Sequence, residues 1–165
     1  MTLISSPLAK RFALALTVGA AAMALTGCSI LNQVTGPIDV NPSDGTDTDV
    51  FSIKVGDCLN DGNLEGEVTT TPVIDCAEPH DSEAFASVLV ADGDYPGDQA
   101  IFDQADAECG AAFATYVGID WSESTLNFSY YYPTTDSWSR GDREILCLVY
   151  DPAGQTTGSL KGAAK

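Results

Sequence analysis

Four cysteines, Cys58, Cys76, Cys109 and Cys147, divide the C-terminal two thirds of this chain, and the folds open to it depend on whether they are thiols or bridges. The N-terminus decides that. Lys10 and Arg11 precede a stretch from Phe12 to Met23 that is apolar except at Thr17 and Gly19. A basic start, a short apolar run and a close on small residues make an export signal; a spanning helix needs about 18 or more unbroken apolar residues. Beyond the signal the thiols meet an oxidising compartment, where an even number of cysteines forms a disulfide framework. Two bridges are therefore expected, and four cysteines allow three pairings. Zinc is the competing use, but no pair has C-x-x-C spacing and His80 is the only histidine. No metal and no cofactor are expected.

The signal over residues 1–27 closes on Leu25-Thr26-Gly27, followed by Cys28. This string matches the lipobox at every position and resembles the maturation signal of bacterial lipoproteins. The resemblance implies a diacylglyceryl thioether on Cys28 and display on the extracytoplasmic face of the cell membrane. The chemistry suits the site: sulfur is the nucleophile that accepts the lipid, and small residues before it let a peptidase approach the backbone. Removal of the signal leaves enough chain for one domain and a tether. It also leaves five basic residues, Lys54, Arg140, Arg143, Lys161 and Lys165, against 24 acidic ones, a net charge of −19. Such a surface repels nucleic acid and anionic headgroups, so the membrane must be held through acyl chains.

Residues 28–50 read as a flexible acidic tether, with Gly36, Pro37, Pro42 and Gly45 among Asp39, Asp44, Asp47 and Asp49. An EF-hand reading of this stretch fails in detail. With Asp39 at position 1, the glycine falls at position 7 instead of 6, and position 12 is Val50 where a glutamate is needed. A folded domain is expected over residues 51–162, with 163–165 as a tail. Phe51, Ile53 and Val55 alternate as a strand would, and residues 67–76 are extended, Pro72 confining them to an edge or a break. Residues 84–90 read as a buried strand, 126–132 as a strand with an aromatic face, and 144–150 as a strongly hydrophobic strand. Between them, residues 98–117 repeat apolar residues at helical spacing, with Asp98 placed to cap the start and Gly118 to follow the end. The fold class is α+β: about five antiparallel strands with one covering helix. Cys109 then points to the core within reach of Cys147, and the first two strands bring Cys58 near Cys76. That pairing is preferred among the three, each loop contributing roughly 3–4 kcal/mol in the chain-entropy model.

Several strings occur in one order: Gly56-Asp57-Cys58-Leu59, Cys76-Ala77-Glu78-Pro79-His80 with Glu83, Tyr95-Pro96-Gly97, Cys109, Pro133 with Trp138 to Arg143, Cys147, and Thr157 to Gly162. Together they resemble the septum formation domain family of actinobacterial envelope proteins, over about residues 53–162. The resemblance implies an extracytoplasmic envelope domain linked by name to the division septum. It brings a context and no reaction.

Two groups are candidates for chemistry or binding. His80 and Glu83 stand three residues apart and could form a hydrogen-bonded acid–base pair, although no nucleophile accompanies them and a Pro-His turn after a disulfide is more often structural. Trp138, Arg140 and Arg143 gather the basic and aromatic side chains suited to a partner or an anionic ligand. Against that stands a plainer reading in which Trp138 packs in the core and Arg143 pairs with a carboxylate. Arg140-Gly141-Asp142 also spells an adhesion tripeptide, which carries no weight without context. The leading expectation is a non-enzymatic binding or scaffolding domain for an envelope protein or anionic ligand. The alternative is an envelope hydrolase or transferase using His80 and Glu83, with Arg140 or Arg143 clamping an anion. Cys28→Ser is expected to abolish acylation and move the chain from the membrane to the soluble fraction; retention in the membrane fraction would overturn the anchor.

Overall fold

The computed structural model describes residues 45–64 and 66–165; the expected signal over 1–27, Cys28 and the expected tether as far as Asp44 lie outside the described residues. The strands in chain order are β1 (Thr46–Asp49), β2 (Cys58–Leu59), β3 (Thr70–Ile74), β4 (Ser82–Leu89), β5 (Asn127–Tyr131) and β6 (Glu144–Tyr150). A long helix α1 (Asp98–Val117) lies between β4 and β5, and a short helix α2 (Thr135–Ser139) between β5 and β6. The strands make one antiparallel sheet in the order β1-β3-β2-β4-β6-β5. No helix among the described residues is long and apolar enough to cross a membrane.

The sheet is organised around β6, in which five successive residues, Ile145 to Val149, are all buried. Side chains alternate across a strand, so both faces of β6 are covered. Ile145, Cys147 and Val149 face α1, while Leu146 and Leu148 face the other way with Ile53, Leu59 and Ala84. From α1 come Ile101, Ala105, Cys109, Phe113 and Val117, one buried residue per turn. A bulge between Ala84 and Ala86 leaves Phe85 without a partner on β6, and its ring packs against Phe113 and Phe128 with centroids 6.0 and 6.5 Å away. Cys109–Cys147 links helix to strand with Cα atoms 5.6 Å apart, and Cys58–Cys76 joins β2 to the end of β3 at 5.3 Å.

Several local expectations differ from what forms. Phe51 to Val55 is no strand: Val50–Ser52 is a turn of 3-10 helix, and Phe51 and Val55 are exposed while Ile53 is buried. The edge of β3 is taken instead by β1, at the end of the segment read as tether, giving six strands. Pro72 sits within β3 although β3 has neighbours on both sides. Its carbonyl accepts from Asn60 N–H at 3.0 Å, so its missing N–H lies on that same side, where β2 has already ended at Leu59. Gly97 occupies the start of α1 at φ 92°, leaving Asp98 inside the first turn, where its charge still suits the helix dipole. Gly118 adopts φ 97° just past the end and donates to the carbonyl of Ala114. The C-terminal residues are also tied down: Gly162 and Ala164 N–H donate to the carbonyls of Tyr116 and Val117 at 2.8 and 2.9 Å.

Both sulfurs of the second bridge are fully buried, so removing it opens the core as well as the loop. The double variant Cys109→Ala/Cys147→Ala should lose about 4 kcal/mol or more in urea unfolding, against about 3 kcal/mol for Cys58→Ala/Cys76→Ala. A loss below about 1 kcal/mol for the first pair would contradict its role as the core staple.

Candidate functional site

His80 and Glu83 are both buried, but each is held by other partners. Nδ1 of His80 lies 2.9 Å from the Glu78 carbonyl and Nε2 3.2 Å from Thr156 Oγ1. Its backbone exchanges hydrogen bonds with Thr156 in both directions at 2.9 Å, an isolated bridge that pins the C-terminal segment beside β4. The Glu83 carboxylate accepts three bonds of 2.6 Å, from Tyr116 Oη, Ser159 Oγ and Leu160 N–H. Burial and the neighbouring carboxylate push the Tyr116 phenol well above its ordinary pKa, so it remains a donor. The acid–base pair suggested by the sequence is thus not assembled: three residues apart, the two side chains serve separate joints. The Glu83 carboxylate and the sulfurs of Cys58 and Cys76 do lie within 4.8 Å of one another. With the sulfurs joined to each other, no thiolate is available there to hold a metal.

Trp138, Arg140 and Arg143 are also separated in role. Trp138 is buried in the main core, its indole N–H donating to the Gly93 carbonyl at 3.1 Å. The Arg143 guanidinium stacks on that indole, 3.7 Å from the ring centroid. It donates to Asp92 at 3.2 Å and to the carbonyls of Trp138 and Asp142. Arg140 remains exposed and ion-paired with Asp136 one turn earlier. The cationic island therefore reduces to one exposed arginine with an acidic partner.

A groove of about 680 Å³ lies on the sheet face opposite α1. Its floor is Leu146 and Leu148 from β6 with Tyr131 and Ser129 from β5. One wall is Val50, Phe51, Leu64 and Val68, and the end near α2 carries Arg140, Asp142 and Glu144. At the other end Asp61 accepts from Ser82 Oγ at 2.8 Å and from Tyr131 Oη at 3.0 Å. Burial raises the Asp61 pKa above the usual carboxylate range, and Asp81 adds to the rise; the bonds from Ser82 and Tyr131 oppose it. Burial and the charge of Asp61 likewise raise the Tyr131 phenol, keeping it a donor. The Thr71 hydroxyl, fully buried beside the Tyr131 phenol, opposes that rise as a donor. A second, smaller hollow of about 370 Å³ continues past Asp61 toward Asp81, Tyr150 and Asp151.

This groove escapes the sequence because its parts come from residues 50–69 and 129–148. One signal was available: a strand with an unbroken apolar run from Ile145 to Tyr150 implies cover on both faces, and a single helix covers one.

A family model described as septum formation matches residues 38–164. Proteins named "Putative lipoprotein LppN" from Mycobacterium tuberculosis and Mycobacterium bovis are each 28% identical to this chain over 116 residues. The alignment covers 67% of this chain and 63% of the relatives, so the chain spans less than two thirds of their length. No solved structure matches.

Two variants test the electrostatics. Glu83→Ala strands two hydroxyls and a backbone N–H and should cost about 2–4 kcal/mol in urea unfolding, with faster amide exchange at Leu160; Glu83→Gln, which keeps an acceptor, should cost clearly less. For Asp61 the folded pKa is raised, so the stability of the neutral form is present at low pH and lost as pH rises through the folded value. Asp61→Asn should therefore gain on the parent protein as pH rises above the ordinary carboxylate value, and a gap that does not change with pH would contradict the burial of that carboxylate.

Proposed function

Because the chain belongs to the septum formation family, we propose that it is an envelope lipoprotein, anchored through Cys28 on the extracytoplasmic face, whose domain binds a partner in the groove floored by Leu146 and Leu148 and catalyses no reaction. The single observation that carries the reading is the groove itself. Its volume is that of a ligand-sized site, and it has an apolar floor with polar groups gathered at its two ends. The titratable groups offered by the sequence for acid–base chemistry, His80 and Glu83, are buried and engaged in holding the C-terminal segment. The relatives' printed name supports the lipoprotein part, and the family's description supports a place near the division septum. Capture at a surface fits an acidic domain that its own charge keeps off an anionic membrane.

The test is photocrosslinking in intact cells from single positions. A photoreactive side chain at Phe51 or Leu64, both exposed on the groove wall, should give a dominant adduct that is absent when the probe sits at Ala111 on the outer face of α1. Equal adducts from both sides, or none from the groove wall, would overturn the reading.

A further inference from the structure

We propose that the groove's occupant is an extended, basic segment of another envelope protein, added as a strand to the free edge of β5. This deepens the preceding reading and rests on it. The first observation is the direction of the main-chain groups. Val90 N–H donates to the Arg143 carbonyl at 2.8 Å, and the β4–β6 register continues through Val88↔Ile145 and Ala86↔Cys147. Hydrogen-bonded pairs alternate along an antiparallel ladder, so Arg143, Ile145 and Cys147 direct their backbone to β4, and Glu144, Leu146 and Leu148 direct theirs to β5. On β5 the partners are Tyr131↔Leu146 and Ser129↔Leu148. Phe128 and Tyr130 must then point their N–H and carbonyl groups away from the sheet. The Phe128 N–H is taken by the Asn127 side chain at 2.9 Å. For the main-chain groups of Tyr130 no hydrogen-bond partner falls among the described residues.

This edge also lacks the devices that keep strands from pairing. The outer strand at the other side of the sheet, β1, carries Asp47 and Asp49, whereas β5 is Asn-Phe-Ser-Tyr-Tyr, with neither charge nor proline. Ser129 to Tyr132 border the groove, so alternate side chains of an added strand would reach toward the groove while its backbone meets Tyr130.

Charge chooses the partner. The groove presents Asp61, Glu67, Asp142 and Glu144, and its one cation among the described residues, Arg140, is already paired with Asp136. A second copy of this chain would bring the same excess of acid, and residues 29–44 contain no lysine or arginine. A segment alternating basic and apolar residues matches both the floor and the rim.

The full chain in nanodiscs of zwitterionic phosphatidylcholine is titrated with a seven-residue peptide alternating Lys and Val, with its Glu–Val analogue, and with a Lys–Val peptide methylated at alternate backbone nitrogens. The expected result is saturable binding of the first, at least tenfold weaker binding of the other two, and at least tenfold slower amide exchange at Tyr130 on addition of the first. Raising salt, or Glu67→Gln at the exposed rim, should weaken binding without unfolding the protein. The proposal is overturned if the methylated or acidic peptide binds equally, if no peptide slows Tyr130 exchange, or if that exchange slows with protein concentration alone, which would make a second copy the occupant. Groove-wall crosslinks that persist in cells beside a negative peptide result would refute the strand addition and leave the binding role standing; loss of both would refute the two together.

Discussion

The bond between Cys109 and Cys147 joins the middle of α1 to the middle of β6, and most of the remaining structure follows from where those two elements meet. β6 lies between β4 and β5 and is buried on both faces, so it sets the register of the longest strand pairing in the sheet. With the helix fixed against one face, Phe85, Phe113 and Phe128 close around the bridge in tilted and edge-on contacts. A chain this acidic has few ways to enlarge its core. The covalent link replaces area that a larger protein would bury, by removing freedom from the unfolded chain.

A second joint is polar. The Glu83 carboxylate receives donors from α1 and from the C-terminal segment, and so ties a strand, a helix and the last residues of the chain at one point. A buried charge is costly unless its lone pairs are occupied, and here three short bonds occupy them. His80 performs a similar task a few residues earlier through Thr156. The lone histidine and its neighbouring glutamate thus fix the position of Leu160 in the core, which is a structural use of residues whose types suggested catalysis.

What the sequence made legible depended on periodicity. α1, β6 and the Cys109–Cys147 pairing could be read because each puts apolar residues on a repeating face, and tertiary packing agrees with that local pattern; the Cys58–Cys76 pairing forms from β2 and not from the strand expected over Phe51 to Val55. β1 could not. Thr46 to Asp49 is a polar outer strand held by main-chain bonds to β3, which leave no trace in side-chain hydrophobicity. Phe51 to Val55 failed in the opposite sense, showing strand-like alternation where no neighbouring strand was available to pair. The Trp138 to Arg143 cluster misled for a third reason: arginine and tryptophan satisfy each other within the fold, and residue type alone does not distinguish an internal cation–π contact from one offered to a ligand.

The groove was the least legible feature, yet its existence is close to a consequence of the element count. A six-stranded sheet has two faces to cover, and α1 is the one long helix among the described residues. Among the described residues the face away from α1 is closed by the connections on either side of β2, which bring Val50 and Ile53 against Leu59, Ala84, Leu146 and Leu148 but do not extend to the outer side of β5. Polar groups collect where that cover ends, Asp61 and Tyr131 at one side and Arg140 with Asp142 at the other. A sheet face left half covered in this way carries apolar residues that the chain has not finished burying, and its unfinished side coincides with the edge whose Tyr130 backbone has no partner among the described residues. The incomplete layer and the open edge are therefore one feature of the fold, produced by six strands and the single long helix that covers them among the described residues.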